Sequence, residues 1–409
     1  MNAPKRFWPT RTRGSHRPSA AEGEVERPGE PGGEAPVRVA VLGGGQLGRM
    51  LALEGIPLGH RFTFLEPGPD PPAEALGTLV AAAYDDADAL ARIAGGADVV
   101  TYEFENVPAA SAAYLAERLP VLPPPRALGA TQDRLAEKRM FAHLGIPTAP
   151  FHRLDTAADL DPALAVTALP AVIKTRRFGY DGKGQIVARS PESAAAALDA
   201  LGPGLIAERF IRFERELSII AVRGRDGNRV FYPLTENHHR GGILRASYAP
   251  ARRLTPALQS AAETLAGSIM DELDYAGVLA IELFEEDGRL LANEMAPRVH
   301  NSGHWTLDGA HTSQFENHIR AVTGLPLATP RVPGPAAMLN IIGELPDAAA
   351  VAAIPGVHLH LYDKAARPGR KLGHVNITGP DQAAVRASAE RVWALLPGEP
   401  PGLPESRRG

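Results

Sequence analysis

The sequence predicts a mixed α/β and α+β chain of two or three domains, on three observations. Near the start, the strand Val37–Leu42 runs through Gly43-Gly44-Gly45-Gln46-Leu47-Gly48 into an apolar-periodic helix, as Rossmann-like units begin. Mid-chain, Ala171-Val172-Ile173-Lys174 delivers a lysine into a glycine-rich loop. Later, Val278–Trp305 reads as a hairpin bearing two glutamates, followed by a loop crowded with polar side chains.

Composition bounds what these elements can do. The 409 residues are 44% hydrophobic and 22% charged with a net charge of −4, which gives no global reason to expect nucleic acid or membrane as partner. No run of 18 apolar residues exists, and the start lacks the apolar core of a secretory signal. With no cysteine, disulfides and thiolate chemistry are excluded, and a cytoplasmic location is expected.

In chain order, residues 1–36 read as a disordered, polyampholytic tail. The glycine loop at residues 43–48 matches the G-x-G-x-x-G fingerprint, with Glu66 ending the next strand. Glycines are needed wherever backbone approaches a phosphate at a helix start, so the motif signals an anion rather than NAD. The strand Ala97–Glu103 then carries Glu103 and Glu105 to a carboxyl end, where ligands of open α/β sheets sit. Residues 120–126, rich in proline, close this first domain, expected to span 37–130.

A helix from about Gln132 to His143 opens a small α+β unit, expected over 131–212. Its strand ending in Lys174 precedes Arg176-Arg177-Phe178-Gly179-Tyr180-Asp181-Gly182-Lys183-Gly184-Gln185, built like a phosphate-covering loop. A helix near Ser193–Leu201 and a strand reaching Glu208 complete it. The last domain, 213–409, begins with Glu216–Val222 and continues through a run from Val230 to His239 and a helix from Pro256 to about Leu273.

In the acidic hairpin, Glu282 and Glu294 lie opposite each other if the loop at Asp287-Gly288 has three residues. Facing carboxylates destabilise a sheet unless a cation lies between them, which points to Mg²⁺ shared with phosphate oxygens. Arg298, His300, Asn301 and His304 follow in a non-periodic loop. Farther on, Asp363, Lys364, Arg367, Arg370, Lys371 and His374 form a cluster dominated by basic groups after a strand, suited to a phosphate or carboxylate.

With Lys174, the glycine loop, Glu208, Glu216, Glu282 and Glu294 in this order, the chain resembles the ATP-grasp enzymes. GGGQLGRM, YEFENVP, GYDGKGQ, FYPLTENHH, NEMAPRVHNSGHWT and YDKAARPGRKLGH are similar to one branch of them, the N5-carboxyaminoimidazole ribonucleotide synthetases of purine biosynthesis, over about residues 37–395. The resemblance implies an ATP-grasp fold: an N-terminal Rossmann-like (pre-ATP-grasp) domain, a small α+β lid domain and a larger C-terminal α+β domain. It also implies a carbon–nitrogen ligase that carboxylates 5-aminoimidazole ribonucleotide with bicarbonate through carboxyphosphate, releasing ADP and phosphate.

Carried over by motif, Glu282 and Glu294 would hold Mg²⁺, with Asn293 beside them, and Lys174 and Arg134 would meet the α- and β-phosphates of ATP. Gly179 to Gln185 would form the lid loop, including Tyr180, Asp181, Gly182, Lys183 and Gly184. The backbone of Glu208, Arg209, Phe210 and Ile211 would read adenine, Glu216 would take the ribose, and His239 would line the nucleotide site. The substrate 5′-phosphate would fall to Lys364, Arg370, Lys371 and the amides near Gln46 and Leu47. Glu103 or Glu105 would face its ribose or imidazole, Asn301 would contact substrate, and Tyr180, Asp181, Arg298 and Lys364 would attend the reacting groups. Asp181 is the candidate for handling a proton. The resemblance further implies a homodimer.

Three other readings predict different behaviour. A biotin carboxylase-like or transformylase-like ligase would share the ATP site, but the RPGRKLGH and NSGHWT strings disfavour it. An NAD(P) oxidoreductase built on the glycine loop leaves the lysine strand and acidic hairpin unexplained. A nucleotide-binding regulator would bind ATP without turnover.

Overall fold

The computed structural model describes residues 36–179 and 183–398. All but Pro36 of the tail expected over residues 1–36, and Tyr180, Asp181 and Gly182, lie outside the described residues.

Three sheets carry the described residues. The first is parallel, in the order β3-β2-β1-β4, from β1 (Arg38–Leu42), β2 (Arg61–Leu65), β3 (Thr78–Val80) and β4 (Val99–Tyr102). Its strands are near-continuous apolar runs because helices cover both faces, as parallel sheets require. The carboxyl ends of β1 and β4 run directly into the glycine loop and Glu103.

The second sheet, ordered β5-β8-β6-β7, is antiparallel: β5 (Phe151–Leu154), β6 (Ala171–Thr175), β7 (Gln185–Ala188) and β8 (Leu205–Arg209). Lys174 lies on β6, so the glycine-rich segment is the connection of the β6–β7 hairpin. The helix ahead of this sheet starts at Arg134 rather than Gln132, because Asp133 caps it by accepting from the amides of Leu135 and Ala136. Asp133 also accepts from Arg176 at 3.0 and 2.6 Å, tying the helix start to the loop. The proline-rich stretch expected to close the first unit leads straight into a helix, Pro125–Thr131, with Pro125 where its missing N–H costs nothing.

The third sheet has nine strands among the described residues, ordered β14-β13-β9-β11-β12-β15-β17-β16, with β10 also on β9. These are β9 (Arg215–Arg223), β10 (Arg229–Phe231), β11 (Thr235–Arg240), β12 (Ile243–Ala249), β13 (Gly277–Glu286), β14 (Arg289–Ala296), β15 (Ala336–Ile342), β16 (Val357–Leu361) and β17 (Lys371–Thr378). The run expected from Val230 to His239 is therefore two strands, parted at Pro233, which has no N–H for a ladder. Leu217, Ile219, Leu279 and Ile281 pack on the helix Pro256–Glu272, while Glu216, Ser218, Glu282 and Phe284 share the opposite face.

His318 ties the first and third sheets together. Its Nδ1 accepts from the Val278 amide at 3.1 Å, so Nε2 carries the proton, 2.8 Å from Thr101 Oγ1. Burial pushes this imidazole down to about 3 from the usual 6.5. Below pH 6.5 the unfolded chain takes up a proton that the folded chain refuses until about pH 3. This group's contribution to stability is thus full above 6.5 and falls as pH drops, by about 1.4 kcal/mol per unit. His318→Asn is expected to flatten the loss of stability between pH 7 and 5 by about one proton's worth, read from urea melts at the two pH values.

Candidate active site

A cleft of about 610 Å³ gathers the polar features of all three sheets. Of the residues singled out from sequence, Gln46, Leu47, Glu103, Glu105, Arg134, Lys174, Gly179, Gln185, Glu208, Arg209, Phe210, Ile211, Glu216, His239, Glu282, Asn293, Glu294, Arg298, Asn301 and Lys371 line it. Lys183, Gly184, Lys364 and Arg370 are not among its lining residues.

The acidic pair is the centre, and it is built differently from expectation. The turn has two residues, Asp287 and Gly288, both at positive φ (51° and 69°), the pattern that matches strand twist. A plain two-residue hairpin would leave Glu282 and Glu294 out of register. A β-bulge corrects it: Glu282 pairs with Glu294 and Leu283 with Ala292, leaving Asn293 as the extra residue.

Asn293 Oδ1 is buried with no hydrogen-bond partner. Burial and the facing Glu294 push Glu282 up to about 7. Glu294 goes down to about 2: burial alone would raise it, but Arg134, whose Nη1 lies 2.5 Å from Oε2, outweighs that. Two opposed carboxylates and an orphaned amide oxygen form the all-oxygen set that suits Mg²⁺, so the residues present fit that ion. Among the described residues no group of three acidic, histidine or cysteine side chains is arranged to hold a metal alone, which leaves room for oxygens from a phosphate chain.

Beside the pair, Lys174 Nζ meets Glu208 Oε2 at 2.9 Å, and Lys138 approaches the same oxygen at 3.8 Å. Burial would raise Glu208, but Lys138 and Lys174 bring it down to about 2. Glu216 Oε2 is bonded to His239 Nδ1 at 2.9 Å. Phe213 and Phe284 stack at 4.8 Å on the cleft wall, an apolar surface for a planar base.

Toward the first sheet, Arg298 Nε is bonded to Glu105 Oε2 at 2.6 Å. Asn301 exchanges two amide bonds with buried Asn340, at 3.1 and 2.7 Å. Lys364 Nζ donates to the side-chain oxygen of Gln46, and Arg370 donates to the Ala365 carbonyl at 3.2 Å. Lys364 is lowered to about 8, by burial and then by Arg370, Arg367 and Lys371, against the pull of Glu103.

One member of the expected basic cluster is not there. His374 is fully buried on β17, bonded to Tyr362 at 2.7 Å and stacked on His360, because both faces of β17 are covered and Leu372 through Ile377 are all buried. His300, like His304 one of the polar residues singled out in the loop after the hairpin, also lines the cleft, whereas sequence reasoning singled out none of Glu137, Lys138 and Asn340. Glu137, pushed up to about 8 by burial and Glu294, accepts from the Met295 amide at 2.8 Å. His300 Nε2 lies 3.5 Å from Glu282 Oε1 and is held neutral, lowered to about 3 by burial and then by Arg298 and Lys371. Glu137 and Lys138 look like ordinary helix charges in sequence; Asn340 had a signal, as the lone polar residue in AAMLNII.

This architecture, a lysine-bearing antiparallel sheet and a larger sheet with two opposed glutamates, defines an ATP-grasp ligase. A family model for the ATP-grasp domain matches residues 139–315, preceded by a ribonucleotide synthetase preATP-grasp domain at 37–132 and followed by a phosphoribosylaminoimidazole carboxylase C-terminal domain at 336–388. N5-carboxyaminoimidazole ribonucleotide synthase of Pseudomonas aeruginosa is 50% identical over 361 residues, covering 88% of this chain and 99% of that protein. The crystal structure of the synthetase from Thermus thermophilus superposes with a TM-score of 0.86 at 53% identity, covering 88% of this chain and 99% of that one. The Aspergillus clavatus enzyme, solved with ADP and 5-aminoimidazole ribonucleotide, has a TM-score of 0.80 at 32% identity, covering 88% of this chain and 98% of that one. The chain belongs to the N5-carboxyaminoimidazole ribonucleotide synthase family. No described helix is long and apolar enough to cross a membrane.

Proposed function

We propose that this chain carboxylates 5-aminoimidazole ribonucleotide with bicarbonate and ATP, giving N5-carboxyaminoimidazole ribonucleotide, ADP and phosphate. The observation that carries the reading is a single cleft joining the Glu282–Glu294 pair to Lys174 and Arg134 and, by its other wall, to Gln46, Arg298 and Lys371. ATP and an anionic acceptor can then lie side by side, so that the two reactions share one cleft.

In the first step a bicarbonate oxygen attacks the γ-phosphorus and ADP leaves, forming carboxyphosphate. Lys174 and Arg134 would hold the phosphate chain, Glu216 the nucleotide sugar with His239 lining the same site, and residues 208–211 with Phe284 the base; all of these line the cleft, and His239 is bonded to Glu216. Mg²⁺ bound between Glu282, Glu294 and Asn293 would neutralise charge developing on the transferred phosphoryl group. In the second step the exocyclic amine attacks the carboxyl carbon, or CO₂ released from it. Phosphate departs, and the amine loses one proton. Arg298, anchored by Glu105, supplies a fixed positive charge for the carboxyl oxygens. Asp181 and Tyr180 remain the proposed partners of the reacting amine.

Bound Mg²⁺, a cytoplasmic homodimer and a division into domains at 37–130, 131–212 and 213–409 belong to the same proposal, supported by the family resemblance. The reading is tested by ADP release from Mg²⁺-ATP and bicarbonate, with and without the ribonucleotide. Release that needs the ribonucleotide supports it; release indifferent to the ribonucleotide would leave the acceptor wrongly assigned.

A further inference from the structure

Glu103, one residue beyond β4, commits both carboxylate oxygens to the start of the helix Gln46–Gly55. One accepts from the Gly45 amide, the other from the Gly48 amide at 2.6 Å. Glu66 takes the Gly44 amide at 3.0 Å, and the Gly43 amide goes to the Leu65 carbonyl at 2.9 Å. The glycines make room for this arrangement: a Cβ on Gly43 would collide with Glu103 Cγ, and one on Gly45 would lie 2.5 Å from its Oε1. A helix start that reads in sequence as an anion cradle already holds an anion of the protein's own. The other two amides of this first turn belong to Gln46 and Leu47, which line the cleft, and the Gln46 side chain is the partner of Lys364.

We propose that Glu103 is a positioning residue: it does not touch the substrate, but clamps the glycine loop so that the Gln46 and Leu47 amides and Lys364 converge on the ribonucleotide's 5′-phosphate. The inference rests on the reading of those three groups as the phosphate site. Three features support it. Glu103 is only 7% exposed, so little of it reaches a ligand. Its oxygens are occupied by backbone donors that a ribose hydroxyl would have to displace. Its two oxygens take the Gly45 and Gly48 donors of the helix start, which leaves the phosphate's charge to be met by the other two amides and by side-chain cations such as Lys364 and Lys371.

The test compares wild type, Glu103→Ala and Glu103→Gln on four acceptors: the ribonucleotide, its riboside lacking the 5′-phosphate, its 2′-deoxy form and its 3′-deoxy form. Glu103→Ala is expected to raise KM for the ribonucleotide and the deoxy forms by about tenfold or more, with KM for ATP within about twofold. On the riboside, kcat/KM should be the same as wild type within about twofold, since the aimed groups have nothing to grip. Glu103→Gln, with one acceptor oxygen in place of two, should fall between, and it carries the comparison if the alanine variant does not fold.

A penalty that persists on the riboside but vanishes on a deoxy form would mean direct contact with the sugar and overturn the inference. So would an equal loss on all acceptors together with a lowered thermal midpoint, the signature of a role in folding alone. If wild type itself ignores the ribonucleotide, the phosphate reading fails first, seen before any substitution is made, and this inference falls with it.

Discussion

Glu294→Ala is expected to lower ribonucleotide-dependent ADP release by about 10³-fold, the largest effect of any single change in the cleft. The substitution removes one of two opposed carboxylates and strands Arg134, whose guanidinium now pairs with it at 2.5 Å. On the proposed roles two losses combine: a Mg²⁺ ligand goes, and a cation for the phosphate chain loses its anchor. Glu294→Gln separates them, because the amide oxygen still accepts from Arg134 while the negative charge is gone. If metal binding dominates, Gln behaves like Ala and rising Mg²⁺ restores part of the rate. If the Arg134 anchor dominates, Gln is close to wild type. Steady-state kinetics over a Mg²⁺ series reads both, and turnover within about threefold of wild type in Glu294→Ala would place the metal elsewhere.

Lys364→Ala should cost about 10²- to 10³-fold in kcat/KM for the ribonucleotide while leaving KM for ATP little changed. Its amine is held to about 8 by burial and by the neighbouring cations. Protonated below that value and neutral above it, Lys364 predicts that kcat/KM for the ribonucleotide declines as pH rises past about 8. Lys364→Arg keeps the charge to far higher pH, so it should remove this alkaline limb and restore part of the activity if charge is what matters. An arginine variant as poor as alanine would instead indicate that Lys364 itself moves a proton. An alkaline limb unchanged in Lys364→Ala would assign the limb to another group.

Much of this site was legible because its chemistry repeats short-range rules. Lys174 at the end of an apolar strand, and Glu282 and Glu294 flanking an Asp-Gly turn, are local patterns that survive whatever surrounds them. Less legible were features set by register and by distant neighbours. The opposition of the two glutamates comes from a bulge at Asn293, not from loop length, and no period in the sequence marks a bulge. His374 read as one more cation in a basic run, yet it sits on a strand whose two faces are both covered. Lys138 and Glu137 gained their places only when residues 208 and 295 arrived from other strands. The glycine fingerprint was read as a turn for a ligand's phosphate; the oxygens that the Gly45 and Gly48 amides meet are those of Glu103, brought there because β4 lies beside β1, a topological fact no local pattern carries. The roles of Tyr180 and Asp181 came only from the family resemblance, and both lie outside the described residues.

The central claim is that ATP energy is used to activate bicarbonate for transfer to the ribonucleotide amine. Its most direct test is the fate of ¹⁸O from labelled bicarbonate, followed by mass spectrometry of the phosphate and the trapped carbamate. Attack of bicarbonate on the γ-phosphoryl group predicts one labelled oxygen in the phosphate released, label in the carbamate, and both only when the ribonucleotide is present. Unlabelled phosphate alongside ADP release would mean that water, not bicarbonate, takes the phosphoryl group, and would contradict the account.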